Sequence, residues 1–505
     1  MKRWLYLVHR WLGIALCLVM ALWFFSGMVM LYVGYPKLTT SERHQGLAPL
    51  PASGCCVPLA QALQAAGLDG ERRLGWRLAA VAGRPHYLFS DGAQRAVAVD
   101  AQSGQRVDAI SAEQAVASAR HFAHGLAARH LALLAEDAWT HSRALDAHRP
   151  LHRVALQGDA AQRWLYVSSR TGEVVRDASL TERRWGWVGA WLHWLYLFRG
   201  NLFNPWWTEI VVWLSLAGCV AAVTGAVVGV MRWRWRGRYR SGRKTPYPGR
   251  AARWHHVLGL VGGLLCITWV FSGLMSMNPW KVFDAPGPRP DLQAYAGGPL
   301  QSAQAPSAVQ VLAQLSARGH TVLELDWQRV GGVHQVLAQG PGGPWVVEGQ
   351  GVLDGDLPEP RWRAAAQRLL PQAHIVQATR LDAYDAYYYA REPHTMGGHR
   401  ERPLPVWRLR FDDANASEVT IDPRTGAIVQ QSTARRRVDR WLFAFLHSFD
   451  LPQLLANRPA WDAGMLGFSL AGLGLCLTAV VTGWRRLRRQ RAPRQNPSLT
   501  PGNSP

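Results

Sequence analysis

The chain has 505 residues, with 56 Lys and Arg against 34 Asp and Glu and a formal net charge of +22. Taken alone, that charge is typical of proteins that bind nucleic acid or another anionic surface. Only 18% of the residues are charged and 48% are hydrophobic, which excludes wholesale disorder. Six cysteines in a chain of this length exclude a disulfide scaffold, and a bond between the adjacent Cys55 and Cys56 would be strained.

Four apolar segments interrupt the polar sequence, and each is long enough to cross a hydrocarbon core of about 30 Å as a helix. They are predicted at Trp11–Val33, Trp207–Met231, Trp254–Met277 and Ala463–Trp484. The first segment is too long for the apolar part of a signal peptide, and no small-residue cleavage pattern follows it. The sequence therefore predicts a membrane protein with four helical spans and an uncleaved N-terminal anchor.

The basic residues predict the orientation of these spans. Three Lys and Arg lie in the first ten residues, nine lie in residues 232–253 and six follow Trp484, with no acidic residue in any of these segments. By the positive-inside rule, both termini and the central loop are expected in the cytoplasm of a bacterium, with two large loops in the periplasm. The net charge is then a signal of topology in the inner membrane, and nucleic acid is not an expected partner.

The predicted domain order follows from the spans. It comprises the cytoplasmic N-terminus and first span (1–33), a first periplasmic region (34–182), an interfacial helix with the second span (183–231), a basic cytoplasmic loop (232–253), the third span (254–277), a second periplasmic region (278–435), an interfacial helix with the fourth span (436–484), and a basic cytoplasmic tail (485–505).

Both periplasmic regions are predicted to be α+β, with two small modules in each. Helices are expected at Pro58–Ala66, Ser111–Leu126, Ala308–Ala317 and Arg363–Leu370. Strands are expected at His86–Ser90, Arg95–Asp100, Trp164–Ser168, Val406–Phe411 and Val419–Asp422, the first two joined by a turn at Asp91 and Gly92.

The two halves of the chain share motifs at nearly constant offsets, which predicts an internal duplication. The His-x-x-Leu-Gly motif at His9 recurs 246 residues later at His255, as does the Phe-Ser-Gly run that follows it. The Leu-His pair that ends at His193 recurs 254 residues later at His447. Both copies have the same orientation, so a pseudo-twofold axis along the membrane normal is expected.

The repeated histidines form the candidate site. His9 and His255 are predicted at the cytoplasmic ends of spans one and three, and His193 and His447 in short apolar helices at the outer face. Imidazole is an axial ligand of haem iron, and facing helices can hold such ligands. Each pair could coordinate one haem, which would place two haems one above the other across the bilayer. His256 follows His255 directly and is an alternative ligand.

Arg10, Arg183 and Arg437 are predicted to neutralise haem propionates. Small residues near the histidines are expected to leave room for the macrocycle: Gly13, Ser26, Gly27, Gly259, Ser272 and Gly273. An alternative explanation is that His and Arg are ordinary at membrane interfaces and that Gly and Ser mark close helix packing. Histidines of the loops, such as His141 and His152, are expected to be exposed to solvent, as is His148.

The His-x-x-Leu-Gly openings, the Phe-Ser-Gly runs and the Leu-His pairs resemble the PepSY-associated transmembrane helix family. The resemblance extends from His9 to Trp484. Members are iron-regulated inner-membrane proteins, and some are haem-containing reductases of ferric siderophores. The resemblance implies a four-span α-helical bundle, two α+β PepSY-like periplasmic domains and one or two b-type haems. The ligands that it implies are His9, His193, His255 and His447.

The resemblance implies that electrons from quinol or a cytoplasmic reductase pass to a periplasmic ferric siderophore or another iron chelate and release Fe(II). No Gly-rich fingerprint for a dinucleotide is present, so a partner would oxidise any nicotinamide or flavin. Catalytic residues are not identified. Candidate substrate contacts are Tyr384, Tyr387, Tyr388, His394, Met396 and His399. The tyrosines among them could equally be ordinary strand and core residues.

Two other classes of function remain open. PepSY modules can inhibit or regulate peptidases, and a membrane-anchored regulator of that kind would bind no haem. A transporter of iron or a siderophore would need polar groups within the membrane. The predicted spans offer few such groups beyond Ser26, Ser272, Thr224 and Thr478.

Overall fold

The structure is a computed structural model that describes residues 2–68, 75–90, 94–349 and 351–491. Its α-helices are α1 (Lys2–Met30), α2 (Thr40–Gln45), α3 (Leu59–Ala65), α4 (Ala112–Phe122), α5 (Leu180–Gly186), α6 (Trp207–Arg232), α7 (Arg250–Ser276), α8 (Leu292–Ala296), α9 (Ala308–Ala317), α10 (Glu359–Gln367), α11 (Ala434–Asp439), α12 (Leu446–Ser448), α13 (Pro452–Leu455) and α14 (Arg458–Arg491).

The strands are β1 (Gly75–Val81), β2 (Arg84–Ser90), β3 (Ala96–Asp100), β4 (Arg106–Val107), β5 (Ala128–Leu134), β6 (Leu151–Leu156), β7 (Trp164–Ser168), β8 (Val174–Ala178), β9 (Glu324–Val330), β10 (Val333–Gln339), β11 (Trp345–Glu348), β12 (Gly351–Val352), β13 (Ile375–Leu381), β14 (Val406–Phe411), β15 (Glu418–Ile421) and β16 (Ile428–Ser432). The predicted helices and strands of the loops are confirmed to within a few residues. The predicted turn at Asp91 and Gly92 lies outside the described residues.

The chain divides into two compact units. The helical unit comprises the described parts of Met1–Leu31, Val188–Val282 and Asp439–Pro505. The sheet unit comprises those of Tyr32–Trp187 and Phe283–Val438.

Among the described residues, four helices are long and apolar enough to cross a membrane, which agrees with the predicted number of spans. They are α1, α6, α7 and α14, and all belong to the helical unit. The helices extend beyond the apolar segments: α1 begins at Lys2 rather than Trp11, and α14 begins at Arg458 rather than Ala463. Hydropathy detects only the part of a helix that suits the hydrocarbon core, whereas backbone hydrogen bonds can continue into the polar layer.

The four long helices pack as a ring in which α1 contacts α6 and α14, and α7 contacts the same two helices. The helices α1 and α7 therefore lie diagonally opposite each other. Close approach of α14 to α1 depends on Gly472, because a Cβ atom there would lie 2.2 Å from the Phe24 ring. Small residues commonly allow such close packing between membrane helices.

The sheet unit is built around an eight-stranded antiparallel sheet with the order β12-β11-β10-β9-β1-β2-β3-β4. Its apolar face packs against α3 and α9, and Leu78 on β1 and Leu325 on β9 are fully buried there. Two further sheets have the orders β5-β6-β7-β8 and β13-β14-β15-β16. The helix α4 packs on the first of them and α10 on the second.

The pairing of β1 with β9 was not anticipated from the sequence, which placed residues 34–182 and 278–435 in separate domains. The two strands pair from Trp76 opposite Trp327 to Ala79 opposite Glu324, so one sheet contains both regions. An unpaired edge strand would present open backbone groups, and this pairing satisfies them. Arg77 on β1 lies 2.8 Å from Glu173 and 3.4 Å from Glu324, which adds ion pairs at the junction.

The expectation that the loop histidines are exposed is wrong for three of them. His152 is only 4% exposed, with Nε2 2.8 Å from the Ile110 carbonyl oxygen and Nδ1 3.0 Å from His130 Nε2. The side chain of His141 is 7% exposed, and His148 is half-buried. His152 lies on β6, and the pairing of that strand with β5 and β7 places its ring in the interior, which a single sequence does not reveal. Within the described ranges, no group of three or more His, Cys, Asp or Glu is placed to hold a metal ion.

The carboxyl group of Asp177 on β8 makes the stability of the sheet unit depend on pH. Burial raises the pKa of its carboxyl to about 7, and Glu42 and Glu182 add to the shift. In the unfolded chain the pKa would be about 4. The native state then binds the proton more tightly, so the free energy of unfolding should fall as pH rises from about 4 to about 7.

We expect Asp177→Asn to remove this dependence, because asparagine cannot ionise. Between pH 5 and pH 8, the free energy of unfolding of the variant should rise by on the order of 2 kcal/mol relative to that of the wild type. Thermal unfolding of the full chain in detergent at both values measures the gain. The exposed Asp108→Asn is the control. An equal response of both variants to pH would contradict the assignment.

Candidate functional site

Two pairs of histidines meet inside the helical unit. The ring centres of His9 on α1 and His255 on α7 are 6.2 Å apart, with ring planes inclined at 24°. The ring centres of His193 and His447 are 6.0 Å apart, with planes inclined at 71°. The structure thus brings together the pairs that the sequence repeat predicts.

The pairs lie near opposite ends of the bundle. His9 and His255 lie close to the N-terminal ends of α1 and α7. His193 and His447 are hydrogen-bonded to Ser26 on α1 and to Ser272 on α7. Ser26 lies 17 residues after His9, and Ser272 lies 17 residues after His255. At 1.5 Å per residue, this spacing corresponds to roughly 25 Å along the helix axis.

Backbone carbonyl groups hold the first pair. His9 Nδ1 lies 3.0 Å from the Ala221 carbonyl oxygen of α6, and His255 Nδ1 lies 3.2 Å from the Leu475 carbonyl oxygen of α14. A carbonyl oxygen only accepts, so each Nδ1 carries the proton and donates it. This assignment, inferred from the hydrogen bonds, leaves Nε2 as the unprotonated nitrogen that can bind a metal.

Serine hydroxyls hold the second pair. His193 Nδ1 lies 3.1 Å from Ser26 Oγ, and His447 Nδ1 lies 2.9 Å from Ser272 Oγ. Each hydroxyl donates its own proton to a tryptophan carbonyl oxygen one turn earlier, at 3.2 Å for Ser26 and 3.0 Å for Ser272. The hydroxyl therefore accepts from Nδ1, and Nε2 is again the unprotonated nitrogen.

The backbone before His193 and His447 is unusual in the same way. A π-helical segment, Trp187–Trp191, precedes His193, and another, Arg440–Phe445, precedes His447. Such π turns insert one residue per turn and are frequent at functional sites. His193 is held a second time, because Trp23 Nε1 donates to its carbonyl oxygen at 3.0 Å.

The distances fit two axial imidazoles on one haem iron. Imidazole nitrogens bind metals at about 2 Å, and the ring centre lies about 1 Å beyond the nitrogen, so two axial ligands put the ring centres roughly 6 Å apart. Within the part of the chain that the structure describes, the hydrogen bonds of all four rings involve Nδ1 and leave Nε2 for a ligand. The donor sets of both pairs therefore fit the cofactor that the sequence suggested.

Glycines make room for the rings. A Cβ atom at Gly225 on α6 would lie 2.5 Å from His9 Cε1, and one at Gly27 would lie 3.5 Å from His193 Cε1. Gly225 was not identified from the sequence, because only the packing of α6 against α1 reveals its role.

His256 is placed differently from the four paired histidines. Its Nδ1 lies 2.8 Å from Thr245 Oγ1, and its Nε2 lies 2.8 Å from the Gly229 carbonyl oxygen. Both ring nitrogens are thus engaged by the protein, and the ring is 6% exposed. This geometry favours His255 over His256 as a ligand.

Of the three predicted arginine partners, Arg10 lies half-buried on α1. Arg183 and Arg437 belong to the sheet unit and make contacts there. The Arg183 guanidinium carbon lies 4.1 Å from the centre of the Trp164 ring, and Arg437 lies 3.4 Å from Glu418.

The predicted substrate residues have mixed environments. Tyr388 is fully buried, and its hydroxyl donates to the Pro403 carbonyl oxygen at 2.8 Å, which fits the alternative of a core residue. Tyr384 and Met396 are exposed, as is His399, whereas Tyr387 and His394 are half-buried. The Tyr384 hydroxyl donates to the Arg402 carbonyl oxygen at 2.8 Å.

The fold defines a multi-pass membrane protein with a four-helix bundle and an α+β unit. The sequence profile of the PepSY-associated TM region matches residues 6–349, more than half of the chain. The protein therefore belongs to that family. His9, His193 and His255 lie within the matched residues, and His447 lies beyond them. No curated protein matches the sequence.

We expect Gly225→Val to displace His9 from its pair, because the added side chain would overlap the ring. Haem per purified protein, measured as the pyridine complex, should fall by about half if each pair holds one haem. The control is Gly467→Val on α14, where a Cβ atom would meet nothing within 4 Å. Unchanged haem content in the Gly225 variant would contradict the role given to His9.

Proposed function

We propose that the protein is a haem-containing oxidoreductase of the bacterial inner membrane, which carries electrons across the bilayer to a periplasmic ferric siderophore. One observation carries the proposal. Two histidine pairs lie near opposite ends of one helical bundle, each with ring centres about 6 Å apart and each with Nδ1 anchored. Neither helix packing nor a binding role for the sheet unit requires such an arrangement.

The proposed topology places both termini and the basic loop in the cytoplasm, with the sheet unit in the periplasm. The proposed duplication is supported by matching contacts in the two halves. The bond from His9 to the Ala221 carbonyl has its counterpart in the bond from His255 to the Leu475 carbonyl. These acceptors are 254 residues apart, as the sequence repeat requires.

Haem bound at each pair would supply a one-electron carrier near each membrane face. The chain's own residues position it. The carbonyls of Ala221 and Leu475 keep the proton on Nδ1 of the cytoplasmic pair, and Ser26 and Ser272 do the same for the outer pair. The interior of the bundle contains a cluster of buried apolar side chains, and burial of this kind is one of the means by which proteins set a redox potential.

The substrate reaction balances with one electron for each iron. Fe(III) in the chelate accepts the electron and becomes Fe(II), for which siderophores have much lower affinity. The electron is supplied by quinol or by a cytoplasmic reductase, since the chain carries no dinucleotide fingerprint.

The polar groups within the spans favour this function over transport. Thr224 Oγ1 donates to the Val220 carbonyl oxygen of its own helix at 2.6 Å, and Thr478 Oγ1 donates to that of Leu475 at 2.7 Å. Ser26 and Ser272 are engaged with histidines. These groups thus have partners within the bundle rather than forming a polar path.

The direct test is an optical titration of the purified protein. We expect a Soret band and, after anaerobic reduction by dithionite, sharp reduced-haem bands. Removal of the dithionite and addition of a ferric siderophore should reoxidise the haem, with formation of Fe(II) that a ferrous chelator detects. Protein without a Soret band, despite adequate haem supply, would contradict the proposal and leave the regulator of peptidases as the better account.

Substitutions of single histidines distinguish the roles of the two histidine pairs. His447→Ala should retain haem at the cytoplasmic pair but lose rapid reoxidation by the ferric chelate, because the outer pair is broken. His256→Ala should retain haem at both pairs, because neither of its nitrogens is available for a metal in the structure. Rapid-mixing spectroscopy measures the reoxidation rate. Loss of haem in the His256 variant alone would reverse the assignment of ligands.

A further inference from the structure

A group of basic side chains gathers in the sheet unit where Tyr35–Lys37 packs against residues 393–400. Lys37 Nζ donates to the carbonyl oxygens of Pro393, at 3.5 Å, and of Thr395. Gly34 permits this packing, because a Cβ atom there would lie 2.0 Å from the His394 carbonyl oxygen. The two segments are 356 residues apart in sequence, and a single sequence does not indicate their contact.

Arg176 on β8 contacts the same segment, Tyr35–Lys37. Its guanidinium donates to the carbonyl oxygens of Pro36 and of Trp139, the latter at 3.2 Å. The side chain is 8% exposed, and its buried Nε has no hydrogen-bond partner in the described residues. A buried guanidinium whose bonds go to neutral carbonyls carries a charge that the protein has not compensated, which is costly.

The second half of the chain shows that the fold does not need this charge. Arg170-Thr171-Gly172 recurs as Arg424-Thr425-Gly426, which matches Arg176 on β8 with Gln430 on β16. Gln430 Nε2 donates to the Tyr387 carbonyl oxygen at 3.0 Å, so a neutral amide makes the corresponding bond between strand and loop. The positive charge in the first half is therefore additional to the structural requirement.

The nearby carboxyl groups compensate the charge only weakly. Glu182 is engaged in the cap of α5, where it accepts from the backbone and side chain of Ser179, both at 2.8 Å. Asp177 follows Arg176 directly and so faces the opposite side of the strand. Burial and the positive charge of Arg176 lower the pKa of Lys37 to about 8, although Glu182 acts in the opposite direction.

Two further basic residues are exposed beside this group. His399 and Arg400 lie at the end of the segment that Lys37 contacts. Burial, followed by the positive charges of Lys37, Arg400 and Arg176, lowers the pKa of His399. The group thus extends from the buried guanidinium of Arg176 to exposed basic side chains at the surface.

We propose that Lys37 and Arg176, with His399 and Arg400 at the surface, form a binding site for the negatively charged oxygen donors of a ferric chelate, its catecholate or carboxylate groups. The inference rests on the proposed function and names its substrate class. Guanidinium and ammonium groups make strong, charge-assisted hydrogen bonds to such oxygens. Chelates with catecholate or carboxylate donors carry net negative charge, whereas neutral trihydroxamate complexes would gain little from the site.

The test uses the full chain in detergent and Ga(III) complexes, which resemble the Fe(III) complexes in charge and shape but are not readily reduced. Titration calorimetry compares an anionic Ga(III) tricatecholate with a neutral Ga(III) trihydroxamate. We expect Arg176→Gln, which introduces the residue of the matched position, to weaken binding of the anionic complex roughly tenfold. Binding of the neutral complex should not change.

Lys37→Gln should have a similar effect and supplies an independent variant if Arg176→Gln fails to fold. The control is Arg318→Gln, which removes the same charge from an exposed ion pair with Asp354. No binding of the anionic complex by the wild type, or equal affinities in the wild type and both site variants, would overturn the proposal. So would an equal loss for both complexes.

The two proposals fail separately. Binding of a redox-inert complex does not depend on haem, so selective loss in the site variants would stand even if the protein transferred no electrons. Conversely, the wild type and the site variants could have equal affinities for Ga(III) complexes while the wild type still reduces ferric chelates. That result would contradict only the proposed anion site.

Discussion

The hydrogen bond at Nδ1 of each paired histidine is the constraint on which the helical unit depends. An imidazole inside an apolar bundle is costly unless its polar atoms find partners. Helices within a membrane already use their carbonyls for their own hydrogen bonds, so an acceptor must come from a carbonyl that can take a second bond or from a hydroxyl. Ala221 and Leu475 supply the first kind, and Ser26 and Ser272 supply the second.

This requirement accounts for the arrangement of the helices. The acceptors for His9 and His255 lie on α6 and α14, so each of these helices must pack against α1 or α7 at a fixed height. The diagonal placement of α1 and α7 then brings the two rings together across the centre of the bundle. The small residue Gly225 completes the arrangement, since a larger side chain would occupy the place of the His9 ring. Structure and proposed chemistry therefore depend on the same few contacts.

The sequence predicted the parts of this structure that local patterns encode. Hydropathy located the four spans, and the repeat located His9, His193, His255 and His447 in pairs. The sequence did not reveal that Ser26 and Ser272 are hydrogen-bonded to histidines, because their partners lie 167 and 175 residues away. Their fixed place in the repeated Phe-Ser-Gly run was the available signal, but it was interpreted as space for a macrocycle.

Non-local pairing limited the prediction of the sheet unit in the same way. The strands β1 and β9 are 247 residues apart at the Arg77 and Glu324 contact, and no local pattern specifies that they share a sheet. The sequence left Tyr388 open between a substrate contact and a core residue, and in the structure its hydroxyl finds a carbonyl acceptor that allows full burial. Burial of single side chains depends on such partners, which composition does not report.

Electron paramagnetic resonance of the oxidised protein tests the proposal that each histidine pair holds one haem through both rings. Ferric haem with two imidazole ligands is low-spin, and the signal depends on the angle between the ligand planes. The angle of 24° at His9 and His255 predicts a rhombic low-spin signal, and the angle of 71° at His193 and His447 predicts a more anisotropic one. Two such signals, the second lost in His447→Ala, are the expected result. A spectrum without low-spin haem would contradict the account.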